Sequence, residues 1–156
     1  MKRPLQLVLM LLLVLGAGSF ALSAKPDKAR TVTQPSKGSP EALIASALIA
    51  AQDTDEKKGF DAYKKLVHPD RRSSAIALVQ LRRYSWKRFR EQAADYILGG
   101  TKSGFVVVRQ EPARAAKRGS SARLFVDPIN NVKRTYPVPI RFKKHDGDWY
   151  ILSNSL

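Results

Sequence analysis

The stretch Tyr136-Pro-Val-Pro-Ile-Arg-Phe-Lys-Lys-His-Asp-Gly-Asp-Trp-Tyr-Ile-Leu-Ser153 decides the fold. Asp146-Gly147 lies between two alternating runs and marks a β-hairpin turn, because both central residues of a type I′ turn need positive φ. A two-residue loop pairs His145 with Asp148, Lys143 with Tyr150, Phe142 with Ile151 and Ile140 with Ser153. Opposed residues share a face. One face therefore collects Val138, Ile140, Phe142, Trp149 and Ile151, and the other Arg141, Lys143, Tyr150 and Leu152. A one-residue slip would mix the two sets, so the pattern supports the register. Trp149 is expected to be buried against helices on the first face.

The prolines extend the reading. Odd positions aim their N–H groups at the last strand, and Pro139 has none to give. Regular pairing is expected to end near Arg141 and Leu152. Even positions aim the other way, so an earlier strand must lie beside this one.

Upstream, Ser39-Pro40-Glu41 is a helix start, with Ser as N-cap, Pro in the first turn and an acid near the helix N-terminus. This first helix is expected to run to about Gln52. Asp53-Thr54-Asp55 breaks it and caps a second helix, in which Phe60, Tyr63, Leu66 and Val67 share one face. Pro69 stops that helix. A third helical region spans 73–98. At 100° per residue, Leu78, Val79, Trp86, Phe89, Ala93, Tyr96 and Ile97 form its apolar stripe. Arg82 falls inside this stripe, so either the helix breaks near Tyr84-Ser85 or Arg82 points inward; buried Arg is rare, which favours the break. Gly99-Gly100 ends the helix. The run 105–110 is apolar on both faces and reads as an interior strand. A basic loop over 111–121, a strand over 123–126 and a turn over 127–132 lead to the hairpin. Helices followed by strands predict an α+β domain, with N-terminal helices on the concave face of a curved four-stranded antiparallel meander.

The 156-residue chain has 28 basic and 13 acidic residues and a net charge of +15. Its first 24 residues read as a secretory signal peptide: Lys2 and Arg3, an apolar run from Leu5 to Leu15, then small residues with cleavage expected at Ala24 or Lys25. An uncleaved anchor is the alternative, although the run is short for a membrane span. Without residues 1–24 there remain 26 basic and 13 acidic residues, or +13. Residues 25–38 read as a flexible linker and 39–156 as the single domain. The expected location is periplasmic or extracellular, and the charge favours an anionic polymer or lipid surface as partner. The sequence contains no cysteine. Disulfides, thiol catalysis and thiolate metal sites are therefore unavailable to it, and no cofactor is expected.

The layout resembles the nuclear-transport-factor-like superfamily, also called ketosteroid-isomerase-like or cystatin-like. The carrying residues are Ser39-Pro40-Glu41, Phe60-Asp-Ala-Tyr63, Val138-Pro-Ile-Arg-Phe142 and Asp146-Gly147-Asp148-Trp149-Tyr-Ile151. The last looks like that fold's common final strand, and secreted bacterial domains with this fold look most similar. The resemblance implies a cone of helices on a curved sheet, with room for an apolar small molecule inside. Many enzymes of the superfamily use a carboxylate or an Asp–His pair within the cone. Asp61, Glu91 and Asp95 lie on helices here, and none is marked as inward.

Several other constellations carry little chemistry. His68 at a helix end gains from the helix dipole, and His145 borders the turn. Two histidines so far apart in sequence, without cysteine, make no recognisable metal site. His145-Asp-Gly-Asp148 lacks the remaining positions of a calcium loop. Phe60, Tyr63, Trp86, Phe89, Phe142 and Trp149 are candidate pocket or core aromatics. Arg114, Lys117, Arg118 and Arg123 are candidate anion-binding residues. A non-catalytic binding domain is the favoured reading. A small acid–base enzyme of isomerase or dehydratase type would need an inward ionisable group with a shifted pKa. An envelope interaction module would show an apolar outer sheet face.

Overall fold

In a computed structural model the described residues are 29–99, 104–116, 119–131, 133 and 136–155. The signal-peptide reading of residues 1–24, the cleavage point and the first residues of the linker lie outside them.

Two N-caps behave as their sequences require. The Ser39 hydroxyl accepts from the Ala42 N–H and starts α1, Pro40–Ala51. The Asp55 carboxylate accepts from Lys57 and Lys58 and starts α2, Glu56–Leu66. Gly59 lets the two helices approach closely: a Cβ there would stand 2.5 Å from the Ala50 carbonyl oxygen and 3.2 Å from the Trp86 ring. A 3₁₀ turn, Pro69–Arg71, follows.

The third helical region departs from the uniform-helix reading. It is unbroken: α3, Ala75–Gln80, passes into a π turn, Leu81–Trp86, then α4, Lys87–Gln92, and a 3₁₀ turn, Ala93–Tyr96. The Lys87 N–H donates to the Arg82 carbonyl five residues back. This wide turn inserts extra chain per revolution, so a fixed 100° step loses phase across it. Leu81, Trp86, Phe89, Ala93, Tyr96 and Ile97 form the buried stripe. Val79, assigned to that stripe, is exposed, and Leu78 is only half-buried. Arg82 is exposed without any helix break, so neither alternative for it holds.

The sheet has five antiparallel strands in the order β1-β2-β3-β4-β5. They are β1 Arg30–Val32, β2 Phe105–Ala116, β3 Gly119–Val126, β4 Val138–His145 and β5 Asp148–Asn154. The extra strand is β1, which lies in the segment read as linker and pairs with Phe105–Val107. Three residues among Thr, Pro and Ser give no detectable periodicity; the free edge of β2 supplies the partner. The segment read as a basic loop over 111–121 is largely the continuation of β2 and the start of β3.

The hairpin turn has Asp146 at φ 51° and Gly147 at φ 90°. Pairing runs His145–Asp148, Lys144–Trp149, Lys143–Tyr150 and Phe142–Ile151 as deduced. Beyond Arg141 a bulge intervenes, and Ile140 faces Asn154 instead of Ser153. The irregularity begins where the proline-bearing strand was expected to lose regular pairing. β3 lies on the other side of β4, opposing Leu124 to Ile140, as the even positions demanded.

Leu124, Val126, Ile140, Phe142 and Ile151 are buried in one cluster with Ile44, Leu48, Tyr63, Trp86 and Phe89 from the helices. The helices therefore cover one sheet face. Trp149 shares that face but is only half-buried, at the rim of the core, with the Lys144 ammonium 5.2 Å from its ring centre.

Candidate functional site

The aromatics proposed as pocket or core are core. Phe60, Tyr63, Trp86, Phe89 and Phe142 are all buried, and Trp149 is at the edge. Tyr63 stacks on Phe89 at 5.2 Å and lies 5.0 Å from Trp86. These side chains pack together between helices and sheet, and a smaller apolar hollow of about 240 Å³ remains between α1 and Val32 and Phe105. The Tyr63 hydroxyl accepts a hydrogen bond from the Asn154 amide, and burial pushes its phenol well above the usual range.

A groove lies outside this core, between α2 and the α3–π–α4 segment, with a volume of about 860 Å³. Phe60 and Trp86 form its floor, Leu78 and Val79 one wall, and Arg82, Arg83, Lys87 and Arg90 much of its rim. The Trp86 indole N–H is buried and has no hydrogen-bond partner among the described residues. Arg82 lies over the Phe60 ring at 5.6 Å. Glu56 offsets part of the charge, 3.7 Å from Arg82 and 3.9 Å from Arg90. Arg83, Lys87 and Arg88 are exposed and have no ion pair among the described residues. From Arg71 to Arg90 there are seven cations and no acid. In the sequence Arg83, Lys87 and Arg90 simply flank the apolar stripe, as cations on an ordinary solvated helix face do. The count of cations without an intervening acid was the available signal.

The expected anion-binding group is not assembled in the described residues. Arg114 lies on β2, opposite Ser121. Lys117 and Arg118 are outside the described residues. Arg123 is on β3, where Glu111 holds it at 3.2 Å and also lies 3.6 Å from Arg109. Arg109 stacks over Phe125 at 3.7 Å. The outer sheet face is thus charged and internally paired around Glu111.

A second unusual arrangement surrounds His68. Val67 bridges to Ile151 and the His68 N–H donates to the Ile151 carbonyl, so this short segment lies along the β5 edge. His68 is 1% exposed, and its ring stands 5.4 Å from that of His145. The two histidines, distant in sequence, are therefore in contact. Tyr150 completes the cluster at 6.1 Å from His68. Nδ1 of His68 accepts from the Asp70 N–H. That leaves the proton on Nε2, which is buried without a partner among the described residues. Among the described residues no group of three or more His, Asp or Glu side chains is placed to hold a metal.

Burial holds the His68 pKa below its ordinary value; Asp70 favours its charged form, while Lys143, His145 and Arg72 oppose it. A base whose folded pKa lies below its unfolded one costs nothing above the unfolded value near pH 6.5. As pH falls through that value, the unfolded chain takes the proton first and stability drops. The loss levels off below the folded pKa. Chemical denaturation between pH 7.5 and 5 should show falling stability for the parent and a flatter dependence for His68→Asn. Identical slopes would show that the buried imidazole is not the titrating group.

Asp61, Glu91 and Asp95 do not form an acid–base centre. Asp61 pairs with Lys64 at 2.8 Å, Glu91 is exposed at the groove, and Asp95 accepts from Asn131 at 2.7 Å. No family model matches the chain, and no curated protein or solved structure matches it. Its class therefore rests on its own architecture: an α+β domain with helices on one face of a five-stranded antiparallel sheet.

Proposed function

We propose that this chain is an exported, non-catalytic binding domain for an anionic component of the cell envelope. The nuclear-transport-factor-like cone is the proposed fold family, on the strength of the motifs quoted for it. The observation that carries the reading is the cationic run on α3, the π turn and α4. Arg83, Lys87 and Arg88 stand in solvent there and form no ion pair among the described residues; Glu91 is the one acid that lines both hollows beside them, and Glu56 is turned to Arg82 and Arg90. Like charges held together on a rigid helical segment repel one another and gain free energy when an anionic partner neutralises them. The groove beside these cations, about 860 Å³, is larger than the apolar hollow of about 240 Å³ between α1 and Val32 and Phe105, which favours this surface as the place of binding.

Heparin serves as the probe polymer. The parent should bind it with an affinity that falls steeply with salt, because each neutralised charge releases a counterion. Arg83→Glu, Lys87→Glu and Arg88→Glu together should weaken binding and flatten the log–log salt slope by about three. The melting transition should be unchanged, since these side chains are exposed. A second triple variant, Arg114→Glu, Lys117→Glu and Arg118→Glu, tests the β2–β3 connection in the same titration. Parent-like binding by the first variant and loss by the second would move the site to that connection. Binding unaffected by either would defeat the proposal.

A further inference from the structure

The same helical segment carries an apolar feature that neutralising a polymer does not use. Among the described residues the exposed large hydrophobic side chains are Ile49, Ile76, Val79, Tyr84 and Tyr136. Three of these five fall within residues 76–84: Ile76 is 73% exposed, Val79 61% and Tyr84 64%. Scattered exposed apolar residues are ordinary, but a cluster of them marks an interaction surface. The π turn is what puts it there. It shifts the phase of α3 so that Leu81, not Val79, enters the core, and Ile76 and Val79 are turned out.

Cations adjoin Val79 and Tyr84. Val79, Arg83 and Lys87 follow at four-residue steps and line the same groove. Tyr84 shares a neighbouring hollow with Arg83, Lys87 and Arg88, where Glu91 is the one acid against three cations. The result is a helical face with apolar side chains projecting among unpaired cations. A bilayer surface with acidic headgroups offers both complements at once: phosphates for the cations, and the headgroup–acyl boundary for Ile76, Val79 and Tyr84. A sugar polymer offers only the first. We infer that the α3–π–α4 face docks on an anionic lipid bilayer, with Ile76, Val79 and Tyr84 inserted below the headgroups and Arg83, Lys87 and Arg88 against them.

This inference rests on the proposed anionic partner and names it. The test uses the full chain, so residues 1–28 are the same in every protein and a difference between variants belongs to the helical face. Extruded vesicles of phosphatidylcholine alone are compared with vesicles of equal parts phosphatidylcholine and phosphatidylglycerol, by co-sedimentation. The parent should partition more strongly to the anionic vesicles. Ile76→Ser, Val79→Ser and Tyr84→Ser together should lower that partition by about tenfold, while heparin binding stays at the parent level. Arg83→Glu, Lys87→Glu and Arg88→Glu together should lower it on the order of 100-fold and weaken heparin binding too. All six side chains are exposed, so melts should superimpose; if the apolar triple variant does not fold, Val79→Ser alone is measured. Equal partition of the parent to neutral and anionic vesicles overturns the inference. So does parent-like partition of the apolar variant. Heparin binding without vesicle binding defeats the bilayer inference alone, whereas loss of both defeats the proposed anionic partner as well.

Discussion

Trp86→Ala should lower stability by about 3–5 kcal/mol, the range for a large aromatic side chain removed from a packed core. Trp86 is 1% exposed and is the largest of the fully buried side chains. Its ring lies 5.0 Å from Tyr63, 6.1 Å from Phe60 and 6.4 Å from Phe89, and it also meets α2 at Gly59. It therefore ties the π turn to α2. The indole N–H makes no hydrogen bond among the described residues, so the loss is one of packing. Trp86→Phe should then recover much of the stability, since no bonded polar atom is removed. Urea melts of both variants check this. A loss below about 1 kcal/mol for Trp86→Ala, in the range of surface changes, would mean that the helical segment does not pack as described.

Phe142→Ala should cost a similar amount, about 3–5 kcal/mol. Trp149→Ala should cost less, about 1–2 kcal/mol, because a half-buried side chain has less apolar area to return to water. Both lie on the core face of the hairpin. Phe142 is fully buried opposite Ile151, while Trp149 sits two residues nearer the turn beside Lys144. Lys143→Ala, on the opposite face, removes only an exposed pair with Asp70 at 3.7 Å and should be close to neutral. Denaturant midpoints should therefore rank Phe142 well above Trp149, and Trp149 above Lys143. Equal losses at Phe142 and Lys143 would overturn the register.

The proposed binding surface was visible in the sequence only as composition. Seven cations between Arg71 and Arg90 can be counted, yet counting does not say which stand in solvent or which meet Glu56. Arg114, Lys117 and Arg118 are close in sequence, but Arg114 lies on a paired strand and the other two fall outside the described residues, so nearness along the chain does not show where their charges stand. Arg123 shows why: its position on β3 sets it against Glu111 across the ladder.

Local chemistry was sufficient wherever a feature is closed within a few residues. Ser39 and Asp55 cap helices because their own oxygens reach N–H groups two or three residues on. Asp146 and Gly147 make the turn because they tolerate positive φ. The alternation around them sets the faces, and the even positions of the strand, whose N–H groups point away from β5, demand the neighbour that β3 supplies. The sequence by itself therefore determined the helix starts, the hairpin, its register as far as Phe142 and the α+β class. Tertiary structure decided the rest, because the deciding partners lie far along the chain. β1 is a strand only because β2 has an edge to pair. His68 is buried only because β5 and His145 come to it. The π turn forms where Leu81 and Trp86, five residues apart, must both enter one core. A helix of uniform pitch cannot bring both inside, and the added phase that does so leaves Ile76 and Val79 in solvent.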